Sequence, residues 1–273
     1  MTKSPLALAV LVGLVAQQVS AAGFVEDSKA TLGLRNFYYD VNNKNVDAAS
    51  GQEWGQGFLF NYTSGFTQGT VGFGLDVVGL AGIKLDAGGS ANKASADQSR
   101  TPGQLFPLDS DGKATDSYGK AGATAKVRFS KTEARIGTLQ PKLPVVTFND
   151  GRLLPQLFEG GQVSSAEIDG LTVVAGQLEH TKTRSSTDDI GLRIAGATRP
   201  QGTPADTAIS DSNKFYYAGG DYKITKDLTA QYYYGNLEDF YTQHFLGLTH
   251  NWGIGPGVLK SDLRYFLSDS DGK

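Results

Sequence analysis

The sequence predicts an all-β chain, a transmembrane antiparallel up-and-down β-barrel. Three observations carry the prediction. Segments of about 9–11 residues, the length a tilted strand needs to cross a bilayer, alternate between apolar and polar side chains. The links between them mostly alternate long and short, and aromatic residues gather at the segment ends. Composition agrees: 35 glycines, 12 tyrosines and 14 phenylalanines stand against a single methionine in 273 residues. With no cysteine the chain has no disulfide framework and no thiol chemistry. A formal charge of −3 argues against nucleic acid as a partner.

The first element, residues 1–22, reads as a cleaved signal peptide. Lys3 supplies the positive start, Leu6 to Ala16 a short apolar core, and Val19-Ser20-Ala21-Ala22 the small residues before cleavage. The apolar run falls short of the roughly 20 residues of a membrane-spanning helix. Export and a location in the cell outer membrane follow, with the mature chain starting near Gly23.

Eleven strands follow: Lys29–Tyr39, Glu53–Tyr62, Thr70–Leu85, Gly119–Phe129, Thr132–Leu139, Gln162–Ile168, Leu171–Thr181, Lys214–Ile224, Leu228–Leu237, Tyr241–His250 and Val258–Leu267. Val71-Gly72-Phe73-Gly74-Leu75-Asp76-Val77 shows the pattern, large apolar residues alternating with glycine or aspartate. Successive strand side chains point to opposite faces, so each such segment has one oily and one wet side. Four links are brief: Thr63-Ser64-Gly65, Ser130-Lys131, Asp169-Gly170 and Thr225-Lys226-Asp227. The first four odd-numbered links are long, at 40–52, 86–118, 140–161 and 182–213. Short periplasmic turns on one rim and long external loops on the other are the barrel arrangement. Two late links depart from it, Glu238-Asp239-Phe240 being short and Asn251–Gly257 longer. Phe37-Tyr38-Tyr39, Phe215-Tyr216-Tyr217, Tyr232-Tyr233-Tyr234, Tyr241 and Tyr265-Phe266 fall near the long-loop rim, and Tyr62, Phe66 and Trp252 near the other, as interfacial girdles would. An odd number of up-and-down strands cannot close antiparallel, and lipid does not tolerate an open edge. The expectation is therefore a partial barrel, with further strands beyond Lys273.

Several stretches resemble substrate-specific porins of the OprD family. They are Gly23-Phe24-Val25-Glu26-Asp27-Ser28-Lys29-Ala30, Leu34-Arg35-Asn36-Phe37-Tyr38-Tyr39, Tyr118-Gly119-Lys120-Ala121-Gly122, Arg128-Phe129-Ser130-Lys131-Thr132, Gly151-Arg152-Leu153-Leu154-Pro155-Gln156 and Leu237-Glu238-Asp239-Phe240-Tyr241. The resemblance runs over essentially all of 23–273, with an atypical stretch at 196–213. It implies an eighteen-stranded barrel, of which about eleven strands are here, with residues 23–273 an incomplete barrel domain. It also implies a loop-narrowed pore that passes small carboxylates such as amino acids or aromatic acids. The implied partners are the outer-membrane bilayer, those solutes and the barrel-assembly machinery; a homo-oligomer is left open.

Alternation places Arg35, Lys126, Arg128, Arg135, Lys260 and Arg264 on the wet, pore-lining face. Arginine suits carboxylates because its planar fork donates two parallel hydrogen bonds, and the family resemblance implies such a basic ladder. The plainer reading is that these are wall residues bonded to neighbouring acids such as Glu133 or Asp262. The link at 140–161 is the constriction candidate, stiffened by Pro141, Pro144 and Pro155. It is rich in apolar residues, Phe148 among them, and carries Asp150 and Arg152 at its turn. Against it stands an ordinary external loop packed on its neighbours. His180, His244 and His250 lack metal-ligand spacing. Asp109-Ser110-Asp111-Gly112 and Asp269-Ser270-Asp271-Gly272 echo calcium loops without the closing glutamate and read as turns. No nucleophile motif is present, so no catalytic residue, metal or cofactor is assigned. Two other classes compete with the channel: an outer-membrane hydrolase built on a barrel rim, and a secreted soluble β-sandwich or adhesin.

Overall fold

The computed structural model describes residues 23–44, 50–91, 102–194 and 211–272. The signal segment 1–22 and most of the stretch 196–213 lie outside the described residues. Among the described residues there are fourteen strands: β1 Lys29–Val41, β2 Gly51–Thr63, β3 Val71–Ala87, β4 Ser117–Phe129, β5 Thr132–Leu139, β6 Lys142–Leu143, β7 Val146–Thr147, β8 Leu157–Ser165, β9 Leu171–Lys182, β10 Asp189–Gly191, β11 Phe215–Lys223, β12 Leu228–Leu237, β13 Tyr241–Ile254 and β14 Gly257–Ser270. Eleven of them form one antiparallel wall, ordered β1-β2-β3-β4-β5-β8-β9-β11-β12-β13-β14. The short β10 pairs with β9, and β6 and β7 make a separate hairpin. Among the described residues, β1 and β14 are the two edges of the wall.

All eleven expected strands are found, with two shifts. The sixth begins at Leu157, not Gln162, because Gly160-Gly161 does not break it: the register shifts between Glu159 and Gly160, and the glycine packs on the backbone of Gln177. A bulge, invisible to period-two alternation, absorbs what looked like loop. The final hairpin is also longer than expected. Pairing runs on to Ile254 and Gly257 around Gly255-Pro256, with Gly255 at φ 57°. The supposedly longer link is thus a tight turn on the short-turn rim, and only Glu238-Asp239-Phe240 departs from the alternation.

Directly paired residues share a face. One row runs Gly74, Lys126, Arg135, Gln162, Gly176, Tyr217, Gly235, Gln243, Ser268 across the wall. This is the wet face, and the long links fold over it. The opposite face exposes Leu32, Leu34, Phe60, Phe73, Val163, Val173, Leu246, Leu248 and Leu263, as lipid requires. The expected aromatic girdle is half right. Tyr38, Trp54, Tyr216, Tyr232, Tyr265 and Trp252 stand exposed on the oily side, but Phe215, Tyr217 and Tyr233 are buried on the wet side under the loops. Neighbours in a strand point opposite ways, so a run of three aromatics cannot serve one surface.

On the short-turn rim, the Glu167 carboxylate joins two turns. It accepts from the Lys131 N–H at 2.7 Å and the Ser130 hydroxyl at 2.9 Å, where Ser130 sits at φ 52°. The Lys131 N–H, then Ser130, holds this carboxyl below the usual range. A lowered folded-state pKa stabilises the fold above the ordinary glutamate value, and that contribution is lost as pH falls through the lowered one. Thermal unfolding should therefore differ between the unmodified protein and Glu167→Gln at neutral pH, and the difference should vanish on strong acidification. In addition, these 273 residues contain no cysteine, so a cysteine introduced among them competes with no other thiol of this stretch. Asp111→Cys in the full-length protein should react with a membrane-impermeant thiol reagent on intact cells. Asp169→Cys should react only after permeabilisation, and the opposite pattern would reverse the orientation.

Candidate functional site: the loop-covered basic face

The link from β5 to β8 crosses the wet face. At the tip of the β6–β7 hairpin, Val145 lies 3.1 Å from where a side chain at Gly235 of β12 would begin, beside Phe215, Tyr217 and Tyr233. The chain then turns at Asn149, whose side chain accepts the Gly151 N–H at 3.0 Å. On the far side, the Asp150 carboxylate grips the Arg35 guanidinium of β1 at 2.7 and 3.2 Å, and Arg35 also donates to the Arg152 carbonyl at 2.8 Å. Leu153 and Leu154 are fully buried. Leu153 occupies space left by Gly55 and Gly82, where an added Cβ would lie 2.8 and 3.1 Å from it. One link thus reaches from β12 to β1, held by apolar contacts at one end and a charged fork at the other.

A second link, expected to be external, joins it. Residues 102–116 fold inward, and Leu105 and Phe106 are fully buried beside Leu153 and Leu154. The cause is Glu53 of β2, itself fully buried, which accepts the backbone N–H groups of Gly103, Gln104 and Leu105 at 3.1, 2.6 and 2.7 Å. A buried carboxylate needs such donors. Tyr118 adds a hydrogen bond to the Leu105 carbonyl at 2.8 Å and an edge-on contact with Phe106, ring centroids 5.7 Å apart.

The six wall cations all face this side, but most are not free. Arg35 is held by Asp150, Arg135 by Glu133, and Arg264 by Asp262. The plainer reading of Arg135 and Arg264 thus describes their partners. Lys126 was expected to line an open path and instead is 5% exposed. It pairs with Asp76 at 2.6 Å and donates to the Ser64 carbonyl at 2.8 Å, because the β2–β3 turn folds beneath it. Arg128 remains exposed, stacked over the Phe66 ring at 4.1 Å with no carboxylate partner among the described residues. Lys260 is likewise exposed on the edge strand β14. Phe148 is half-buried, with the Lys142 ammonium 5.2 Å over its ring.

Further charged groups escaped the alternation argument. Lys120 is in phase with Lys126 and Arg128, which was a usable signal; Glu53 and Arg184 offered none, since their roles depend on loops. Arg152 lies over the Tyr39 ring at 4.7 Å, with its Nε buried and unbonded. Arg184 follows β9, outside the membrane-spanning strands, and one of its guanidinium nitrogens comes within 3.7 Å of the Gly151 side-chain position. Burial first, then the neighbouring Arg152, holds its pKa below the ordinary arginine value. Neither arginine has a carboxylate partner among the described residues. Cavities flank the crossing link. One of 760 Å³ is lined by Val145, Asn149, Gln156, Arg184, Phe215 and Tyr241, and one of 330 Å³ by Asp76, Arg135, Thr138, Lys142 and Phe148.

Residues 22–273 match the family model described as outer membrane porin, OprD family. Among curated proteins, the chain is 39% identical to the porin-like protein GalP of Pseudomonas putida over 261 residues, covering 93% of this chain and 58% of that one. It is 37% identical to Porin D of Pseudomonas aeruginosa over 268 residues, covering 97% and 56%. It therefore spans under two thirds of the length of these relatives. Among solved structures, Pseudomonas aeruginosa OccK8 (OprE) superposes with a TM-score of 0.78 at 59% identity, over 92% of this chain and 56% of that one. Pseudomonas aeruginosa OpdK, determined with vanillate, gives 0.78 at 37% identity, over 92% and 60%. These relatives are porins rather than enzymes, and one continuous wall with an oily outer face is no sandwich. By sequence along nearly all its length and by the fold of its wall, this chain belongs to the OprD family of outer-membrane porins.

Proposed function

We propose that the full-length protein is a passive channel giving selective uptake of small carboxylate-bearing solutes across the outer membrane. The observation that carries this reading is the pair Arg152 and Arg184, two neighbouring guanidinium groups beside the crossing link without carboxylate partners among the described residues. Mutually repelling cations that no acid offsets favour an anion near them. A solute entering from the long-loop rim meets Arg184 and Arg152 first and Arg128 nearer the short-turn rim. Each guanidinium can donate two parallel hydrogen bonds to a carboxylate. Arg35, Lys126, Arg135 and Arg264 shape the field less, because Asp150, Asp76, Glu133 and Asp262 already offset them. Several weak sites suit conduction, which needs entry and release alike. The link at 140–161, with Phe148, Asp150 and Arg152, is the constriction in this reading. The vanillate held by OpdK, itself an aromatic carboxylate, supports it. Residues 1–22 are removed on export, and the barrel-assembly machinery inserts the remainder.

Planar-bilayer recordings on the full-length protein test the proposal. Replacing both Arg152 and Arg184 with glutamine should lower permeability to small carboxylates relative to neutral solutes. The loss expected is about 1 kcal/mol per charge, about five-fold, for an effective dielectric of about 40 at about 8 Å. Arg128→Gln should act in the same direction and Arg135→Gln less. Unchanged carboxylate preference in the correctly folded double variant would remove the anion-selective reading.

A further inference from the structure

Lys120 projects from β4 onto the loop-covered face and is only 4% exposed. Its ammonium donates to the carbonyls of Pro155 at 2.7 Å, Thr183 at 2.8 Å and Arg184 at 3.4 Å. No carboxylate bonds it among the described residues, and its charged neighbours include Arg184 and Lys182, the latter paired with Glu159 and Asp189. A buried cation among like charges is costly, and an apolar side chain of similar length would fill the space more cheaply. What the apolar side chain would lack is the three donors. The three carbonyls belong to two different links: Pro155 lies near the end of the crossing link, three residues after Arg152, and Thr183 and Arg184 open the link after β9. Two residues along the same strand, the Tyr118 hydroxyl lies 2.8 Å from the Leu105 carbonyl and 3.1 Å from that of Arg184. Adjacent wet-face residues of one rigid strand therefore bind backbone from three inward-folded links.

We propose that Lys120 is a positioning residue that ties the crossing link to the link after β9, holding Arg152 and Arg184 together against their mutual repulsion. Bonds to backbone carbonyls set the spacing whatever the loop side chains are, and β4, paired with β3 at Tyr118 and Lys120 and with β5 from Thr124 on, is a fixed base for them. With the ammonium gone, repulsion separates the two guanidinium groups and the links move independently. The effect on anion preference rests on the proposed function; the effect on loop motion does not.

The test uses the full-length protein in planar bilayers, with Lys120→Met and Lys120→Gln as neutral variants and Lys120→Arg as the charge-keeping one. Folded neutral variants should show current stepping among sub-levels, where the unmodified channel is steady. Their anion-over-cation permeability ratio should fall about two-fold or more, the low end for residues that couple two sites. Lys120→Arg should restore a steady current. In an Arg152→Gln, Arg184→Gln background, Lys120→Met should still raise the current steps and no longer change the ratio. A steady current with an unchanged ratio in a folded neutral variant overturns the inference. Failure of both neutral variants to fold overturns it too, assigning Lys120 to wall stability. If the double arginine change alone leaves the preference intact, the carboxylate reading falls while the current steps still decide the role of Lys120.

Discussion

A bilayer offers the backbone no hydrogen bonds, so every strand that crosses it must find its partners in neighbouring strands. The nine inner strands of this wall meet that constraint on both sides and β1 and β14 on one, and the other features of the described residues follow from the ladder. Strands long enough to cross are held in register by pairings as extended as the fourteen between β13 and β14. Register in turn fixes faces, since a slip of one residue would turn the charged side toward lipid. A lysine or arginine at the bilayer midplane costs roughly 2–4 kcal/mol. The ladder thus gathers Arg35, Lys126, Arg128, Arg135, Lys260 and Arg264 on one surface before any solute is considered.

Gathering charges does not make them available. The wet face is lined with acids as well, and pairing Lys126 with Asp76 or Arg135 with Glu133 spends attraction that a solute would otherwise meet. Partly exposed pairs such as Arg135 with Glu133 are individually weak, so their main effect is on the local field. The cations left over have no carboxylate partner among the described residues. Arg152 and Arg184 are on links whose backbones are bonded elsewhere, and Arg128 lies over the Phe66 ring.

The links are positioned by the same accounting of polar groups that builds the wall. Inward-folded loops carry backbone N–H and C=O groups into places with little water, and each needs a partner. Glu53 supplies acceptors for three N–H groups, Lys120 donors for three carbonyls, and Tyr118 one more contact. Glycines at 55 and 82 leave the volume that Leu153 fills. A rigid ladder with a few buried polar anchors converts floppy connections into a structured opening.

Alternation, link lengths and the need to keep charge out of lipid were enough to read from residues alone the eleven wall strands, their order and their wet face. These are local or period-two properties, and each strand carries its own copy of them. Shifts at Gly160 and at Gly255-Pro256 escaped because a bulge or tight turn uses the same residues as a loop. Burial of Lys126, inward folding of 102–116 and the nearness of Arg152 to Arg184 were decided only by tertiary structure. Each depends on contacts between residues far apart in sequence, such as Glu53 with Leu105 or Lys120 with Pro155 and Thr183. No periodicity encodes such contacts, because they arise from which loop reaches which anchor once the wall has formed.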